Sequence, residues 1–287
     1  METFPRVTLL GTGGPRIDHN RNAAAVLIRT GGEDILVDAG RGVVRGLDRA
    51  GVKLAGLTRV LLTHHHFDHI GDLYDVMLAS WQEGRRGALR IQGPPDTRRL
   101  VDTLVTQVYD KDITWRSEGE PTFGGWAPVI AEDIAAGQAL TGEGWTARAA
   151  EVRHGHGLDT MSAAFLKRWT CFGYRFEIAD KVIAISGDTV DCAGLRDLAQ
   201  GADLLVQCCY LAQSEITSDH FRRLAAHTLA CGDTVGRIAR ECGVKAMVLT
   251  HHRPRADGRM LDVLAVEVAR DFTGRLLIGE DQMEILP

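Results

Sequence analysis

THHHFDHIG, residues 63–71, follows a short apolar run and places four histidines and one aspartate between positions 64 and 69. The apolar run predicts a buried strand that ends at the first polar residue. Residues two apart in an extended chain point to the same side, so His64 and His66 are expected to bind one ion. Asp68 and His69 follow, where the chain turns toward a helix, and they are expected to face a second ion. Because imidazole and carboxylate are ligands that zinc accepts, the stretch predicts a metal site at a strand end.

Short apolar runs separated by glycine-rich turns surround this stretch, and such runs are typical of strands. Apolar residues at helical spacing predict intervening helices, as at 73–81 and 97–108. Strands that alternate with helices in both halves of the chain predict an α/β fold, in which two sheets face each other with helices on the outside. No linker separates the halves, so a single domain covering residues 1–287 is expected.

The segment from about 111 to 144 differs from the rest of the chain. Prolines and glycines interrupt it, and it carries Trp115, Phe123 and Trp126. We interpret it as a loop insertion with little regular structure, and long loops in compact domains commonly serve function. The aromatic residues favour a lid or a substrate wall over a linker.

Single polar residues of the same chemical kind are predicted at four other strand ends. They are Asp38 in DAG, His154 after EVR, Asp188 in SGDT and His251 after LT. Together with the His-x-His-x-Asp-His motif at 64–69, and in this order, they resemble the metallo-β-lactamase superfamily over nearly the whole chain. The resemblance implies an αββα sandwich of two mixed sheets that carries a binuclear metal-dependent hydrolase site.

The resemblance also implies the metal ligands, residue by residue. The first metal is expected to be bound by His64, His66 and His154. The second is expected to be bound by Asp68, His69 and His251. Asp188 is the expected bridge between the two metals. His156 competes with His154, which is preferred because it directly follows a predicted strand. Asp38 is expected to brace a ligand histidine by hydrogen bonding. Two zinc ions are expected, and manganese and iron are the alternatives that a His and Asp site accepts.

Within the superfamily the chain is most similar to the branch that contains tRNase Z and arylsulfatase-like hydrolases. The likeness is carried by GTGG (11–14), GPP (93–95), FGYRF (172–176) and AHT (226–228). It implies that His227 stabilises the transition state or donates a proton, whereas the alternative is a helix-end histidine with a local partner. Two features depart from the tRNase pattern: a basic protruding arm is absent, and the stretch between His154 and Tyr174 is longer and carries several apolar residues.

Composition limits the classes of partner. The 287 residues carry a formal net charge of −5, and basic and acidic side chains are mixed along the chain. A basic footprint for nucleic acid is therefore absent at the level of the whole protein. No apolar run reaches the roughly 18 residues of a membrane span, and the N-terminus lacks the pattern of a signal peptide. Six cysteines without a C-x-x-C pair favour reduced thiols and a cytoplasmic location. Relatives in this branch also lead us to expect a homodimer.

These observations favour a small-molecule hydrolase as the main hypothesis. A hydroxide held between two metals and oriented by Asp68 would attack an ester, lactone, cyclic amide or sulfate ester, with developing charge stabilised by His227. The missing basic arm argues against nucleic acid as a partner, so a phosphodiesterase or tRNA 3′-end endonuclease is the alternative. A redox di-iron protein is disfavoured because His66 stands where such proteins carry glutamate. A binding protein without activity is disfavoured because every expected ligand is present.

Overall fold

A computed structural model describes residues 5–120, 124–255 and 258–287. Within these ranges the strands form two seven-stranded sheets. The strands are β1 (Arg6–Gly11), β2 (Ala25–Arg29), β3 (Asp34–Val37), β4 (Arg59–Leu61), β5 (Leu89–Gly93), β6 (Val129–Asp133), β7 (Ala139–Gly142), β8 (Trp145–Val152), β9 (Cys171–Ile178), β10 (Lys181–Ile185), β11 (Leu204–Cys208), β12 (Ala246–Thr250), β13 (Arg275–Ile278) and β14 (Glu284–Ile285).

Both sheets are mixed, and each is divided in the same way. The first has the strand order β14-β1-β2-β3-β4-β5-β6, and the second has the order β13-β12-β11-β10-β9-β8-β7. From β14 to β3 the neighbours are antiparallel, and from β3 to β6 they are parallel. The second sheet is antiparallel from β7 to β10 and parallel from β10 to β13.

The described residues also form ten α-helices. They are α1 (Val43–Arg49), α2 (Phe67–Ile70), α3 (Leu73–Gln82), α4 (Thr97–Thr103), α5 (Asp110–Gly119), α6 (Ala163–Leu166), α7 (Ala193–Ala199), α8 (Asp219–His227), α9 (Gly232–Glu241) and α10 (Arg259–Ala269). None of the described helices is long and apolar enough to cross a membrane.

Three apolar clusters hold the layers together. The central cluster joins the inner faces of both sheets and includes Ile28, Leu61 and Phe176. A second cluster packs α1, α3 and α4 on the first sheet, and a third packs α7, α9 and α10 on the second. Strand side chains that alternate between these layers explain why most strands are buried on both faces and appear in the sequence as continuous apolar runs. The αββα sandwich predicted from the sequence is confirmed.

The carboxyl ends of several strands meet at one edge of the sandwich, because parallel neighbours end on the same side. β3 and β4 end there in the first sheet, and β10, β11 and β12 end there in the second. β8 runs antiparallel to β9, which is antiparallel to β10, so β8 also ends at this edge. The loops that follow these strands carry Asp38, the 63–71 stretch, His154, Asp188 and His251.

The interpretation of segment 111–144 as a loop with little regular structure is wrong for its described residues. It contains most of α5, together with β6 and β7, which are the edge strands of the two sheets. Edge strands are only partly buried, and α5 has no buried residue, so neither gives a periodic apolar signal. Trp126 packs edge-on against Trp81, with ring centroids 4.9 Å apart, whereas Trp115 is exposed on α5. Phe123 lies outside the described residues, and the prediction of a single domain stays a prediction.

Candidate metal centre

The 63–71 stretch leaves β4 in an extended conformation and then forms the single turn of α2. His64 is fully buried, whereas His66 precedes α2 at the open side of the site. His65 points the other way, and its Nε2 lies 2.9 Å from the Thr97 hydroxyl. Alternation along the extended segment therefore directs His64 and His66 to the same side.

Three ring nitrogens converge at the first half of the site. His66 Nδ1 lies 3.0 Å from His64 Nε2 and 3.1 Å from His154 Nε2. Zinc ligands about 2.0–2.1 Å from a tetrahedral ion are separated by roughly 3.3 Å, so the three nitrogens lie close to that arrangement. His156 lies outside this group, because its Nδ1 accepts from the His154 N–H at 3.0 Å and its Nε2 contacts the Trp169 carbonyl at 2.9 Å.

A second group, formed by Asp68, His69 and His251, lies beside the first. His251 Nε2 is 3.2 Å from Asp68 Oδ2 and 3.2 Å from Asp188 Oδ2. Asp188 also approaches the first group, since its Oδ2 is 3.8 Å from His154 Nε2. The structure thus brings together all seven residues that the sequence analysis named as ligands, and Asp188 lies between the two groups.

Hydrogen bonds outside the two groups fix which nitrogen of His64, His69 and His154 faces inward. Asp38 accepts from Thr63 N–H and Thr63 Oγ1, and its Oδ2 accepts from His69 Nδ1 at 2.8 Å. Because the Thr63 hydroxyl donates to Asp38, it accepts from His64 Nδ1 at 3.0 Å. His154 Nδ1 donates to the Thr228 carbonyl at 2.7 Å. These three rings therefore direct Nε2 into the site, whereas His66 directs Nδ1.

Unusual backbone conformations occur at the same place. Asp38 and His251 have φ angles of 62° and 61°, a left-handed conformation that side chains other than glycine rarely adopt. Such conformations concentrate at functional sites, where the surrounding structure holds them. Gly14 packs against the His251 ring, and a Cβ at that position would come within 2.9 Å of it. This close approach explains one glycine of the GTGG motif.

Burial and neighbouring charges set the protonation of the donors. Burial lowers the pKa of His64, His66 and His154, and the pKa of His66 falls to about 4. Burial alone would raise the pKa of Asp188, but the His251 and His69 rings hold it well below its usual range. The three imidazoles of the first group are therefore neutral at pH 7 and the Asp188 carboxylate is ionised, which is the state that a metal ion requires.

The second group is electrostatically suited to a cation. Burial alone would lower the pKa of His69, but Asp188 and Asp38 raise it well above its usual range, so positive charge is favoured between these carboxylates. His69 Nε2 and Asp188 Oδ1 are 3.6 Å apart, and both are buried without a hydrogen-bond partner. Buried polar atoms without partners are uncommon, and a cation between these two would satisfy both. The residues therefore fit a divalent metal ion.

An open cleft with a volume of about 230 Å³ leads to the two groups. Its walls include Phe67, whose ring is 56% exposed, and Tyr210, whose side chain was not identified from the sequence. Burial raises the pKa of Tyr210, and the positive charges of Arg16, Arg253 and Arg255 oppose that rise. Tyr210 follows β11, the strand between those that present Asp188 and His251. Its position at a strand end is therefore the sequence feature by which it could have been identified.

His227 is separated from this cleft. Its ring lines a different pocket with Arg153, Gly157 and Asp191, and a Cβ on Gly157 would come within 2.4 Å of its Nδ1. The backbone of this segment does support the centre, because Thr228 holds His154 as described above and the His227 carbonyl accepts from the Gly155 N–H at 2.7 Å. Cys208, which the sequence analysis did not single out, lies in one group with Asp188 and His251.

Residues 33–252 match the family model described as the β-lactamase superfamily domain. This chain belongs to the metallo-β-lactamase superfamily. Two solved structures are similar to it over nearly their whole length. The metallo-β-lactamase fold protein YhfI from Bacillus subtilis has a TM-score of 0.73 and 21% identity, covering 99% of each chain. The short form of human tRNase Z has a TM-score of 0.70 and 21% identity, covering 98% of this chain and 99% of that one.

Among curated proteins, a ribonuclease Z from Mycobacterium sp. (strain KMS) is 34% identical over 287 residues, which is 98% of this chain and 96% of the relative. This likeness supports a hydrolase of the tRNase Z-like branch and contradicts two expectations. The main hypothesis of a small-molecule ester or sulfate hydrolase is wrong, and so is the expectation that nucleic acid is not a partner. The physical reason is that a net charge of −5 averages over the whole chain and does not exclude a local surface that binds nucleic acid.

Proposed function

We propose that this protein is a metal-dependent endonuclease of the ribonuclease Z type, which hydrolyses a phosphodiester bond near the 3′ end of precursor tRNA. The observation that carries the proposal is the pair of ligand groups at the base of an open cleft, with Asp188 between the groups. The ribonuclease Z relatives, which match over nearly the whole chain, support the choice of substrate.

Two zinc ions are the proposed cofactors. His64, His66 and His154 would hold one ion, Asp68, His69 and His251 would hold the other, and Asp188 would contact both. Divalent ions in such a pair lower the pKa of water and stabilise the negative charge that develops on a phosphodiester in the transition state.

Residues of the chain would position and stabilise the reacting groups. Asp68 is held by His251 at 3.2 Å, and we assign it the orientation of the attacking water. Tyr210 is assigned hydrogen-bond donation to a phosphate oxygen, because its hydroxyl group is a donor, its side chain lines the cleft, and burial keeps it protonated. Arg16 and Arg253 would attract the phosphates that flank the scissile bond.

The catalytic role of His227 stays a prediction. In its present position the ring faces the pocket beside Gly157 and Asp191, so proton donation at the scissile bond would require it to move into the cleft. Homodimer formation and a cytoplasmic location also stay predictions, and light scattering of the purified protein would test the first.

The experiment is cleavage of a precursor tRNA that carries a 3′ trailer, by wild type and by His66→Ala, with metal content measured on both proteins. We expect wild type to bind close to two metals per chain and to release the trailer at a single site. His66→Ala should lose metal from the first group and most of the activity. Metal-replete wild type that leaves the precursor intact would refute the proposal.

A further inference from the structure

A second cavity, with a volume of about 310 Å³, lies beside the metal centre. It is separated from the cleft by α2, because Phe67 and Asp68 line the cleft whereas Ile70 lines the second cavity. Less than one helical turn, about 3–4.5 Å along the axis, separates Ile70 from those two residues. His65, whose neighbours on both sides belong to the ligand set, also lines the cavity. The cavity is therefore an immediate neighbour of the reacting groups.

One wall of this cavity is cationic. Arg99 and Arg168 both contact Asp96: Arg99 Nε donates to Oδ1 at 2.9 Å and Arg168 Nη2 donates to Oδ2 at 3.0 Å. The two arginine side chains are 68% and 67% exposed, so their remaining N–H groups are open to solvent. A guanidinium has five N–H donors, and one carboxylate cannot use all of them. Two cations held by one anion leave a net positive charge, with donors that suit a phosphate.

Aromatic side chains form another part of the lining. Phe165 is 41% exposed and stacks on Trp169, with ring centroids 5.5 Å apart and an angle of 22° between the planes. Trp169 in turn contacts the His66 ring at 4.8 Å, and its indole N–H donates to the His154 carbonyl at 2.8 Å. The partly exposed Phe165 ring is therefore linked to His66 and His154 through the indole of Trp169. Its stretch, between His154 and Tyr174, is the one that is longer than the resemblance leads us to expect.

We propose that this cavity is a nucleotide subsite, in which a base stacks on Phe165 and a phosphate binds Arg99 and Arg168. The inference rests on the proposed function: the cavity would hold a nucleotide that lies next to the scissile bond of the RNA. The cleft, at about 230 Å³, is smaller than the roughly 300–1,000 Å³ typical of pockets that hold whole ligands, so a flanking nucleotide requires space outside it. Stacking and a charged phosphate contact account for binding without base-specific hydrogen bonds.

Binding of three probes to the metal-loaded protein tests the subsite: AMP, adenosine and inorganic phosphate, each titrated by calorimetry and by fluorescence of the tryptophans. Phe165→Ala should weaken binding of AMP and of adenosine by about 10- to 100-fold, because one base stack is lost. Arg99→Ala/Arg168→Ala should weaken AMP by a similar factor and leave adenosine unaffected. Arg240→Ala is the matched control, because it removes an arginine that pairs with Asp271 on the outer helices of the second sheet.

The side chains of Arg99 and Arg168 are largely exposed and Phe165 is partly exposed, so circular dichroism and thermal melting should show folded variants. The subsite is overturned if AMP binds no more tightly than phosphate, or if both sets of variants bind AMP within twofold of wild type. Precursor tRNA cleavage by wild type is measured in parallel. If wild type cleaves the precursor but the variants bind AMP as wild type does, the subsite alone is overturned. If the variants weaken AMP binding but wild type does not cleave the precursor, the proposed function alone is overturned.

Discussion

Replacing Asp38 with asparagine tests how the protein orients its metal ligands. Asp38 accepts three hydrogen bonds: two from Thr63, and one from His69 Nδ1 at 2.8 Å. An asparagine tolerates the left-handed backbone at φ 62° and has nearly the same shape, so the fold should be retained. Its amide, however, has one acceptor oxygen where the carboxylate has two.

The consequence for His69 follows from this loss. If the amide oxygen keeps the Thr63 N–H, the NH₂ group faces His69 Nδ1, which must then accept and carry its proton on Nε2. That nitrogen is the one directed at the second ligand group. Changes to such supporting residues cost about 10- to 100-fold in metal affinity, which corresponds to about 1.4–2.8 kcal/mol.

The assay is zinc binding measured by competition with a chromophoric chelator, followed by metal analysis. We expect Asp38→Asn to lose the more weakly held ion first and to retain the ion of the first group. Asp203→Asn is the matched control, because Asp203 is also buried and accepts from Val182 N–H and Lys245 but lies away from the site. Two sites of unchanged affinity in Asp38→Asn, or equal loss in the control, would refute the argument.

Four further predictions concern the cleft and its surroundings. Tyr210→Phe should lower kcat for precursor tRNA by about 10²-fold with little change in metal content, because one transition-state donor is removed; an unchanged kcat in stopped assays would show that the phenol does not act. His227→Ala should lower kcat by less than tenfold if the ring stays beside Gly157, and a loss of about 10²-fold or more would show instead that it enters the cleft. Arg16→Ala should reduce the salt dependence of kcat/KM by about 0.7 in logarithmic slope, measured between 50 and 200 mM salt at about neutral pH, and an unaltered slope would place Arg16 away from the RNA. The pKa of buried His252 is lowered to about 3, chiefly by burial, so between about pH 6.5 and pH 3 the unfolded state binds a proton that the folded state does not. The metal-free protein should therefore become less stable as pH falls through this range. His252→Gln should flatten that part of the stability profile measured by urea denaturation.

The parts of the site that could be predicted from the sequence are those fixed by local geometry. His64 and His66 share a side because an extended segment alternates, and Asp68 and His69 follow in a fixed order. Strand ends were recognisable because buried strands are continuous apolar runs. The edge strands β6 and β7 were missed because their faces are partly exposed, and α5 was missed because it has no apolar stripe.

The other parts of the site depend on tertiary contacts between distant segments. Arg16, Arg253 and Tyr210 come from three loops, and their proximity follows from how the two sheets pack. The orientation of His227 depends on Gly157, which lies 70 positions earlier in the chain, so a motif that includes His227 cannot show where the ring points.

The error about the substrate has a physical cause that applies beyond this chain. A phosphate near the cleft interacts with charges within about 10 Å at 0.1 M salt, and more distant charges are screened. The excess of five negative charges is spread over the whole surface, and many carboxylates are already paired with arginines, as Asp191 is with Arg196. Arg16, Arg253 and Arg255 are close enough to Tyr210 to oppose the rise of its pKa, and Glu215 pairs with the last two. The net charge of the whole chain is therefore a poor guide to the partner of one cleft, and an acidic chain without a basic arm is compatible with the proposed RNA substrate.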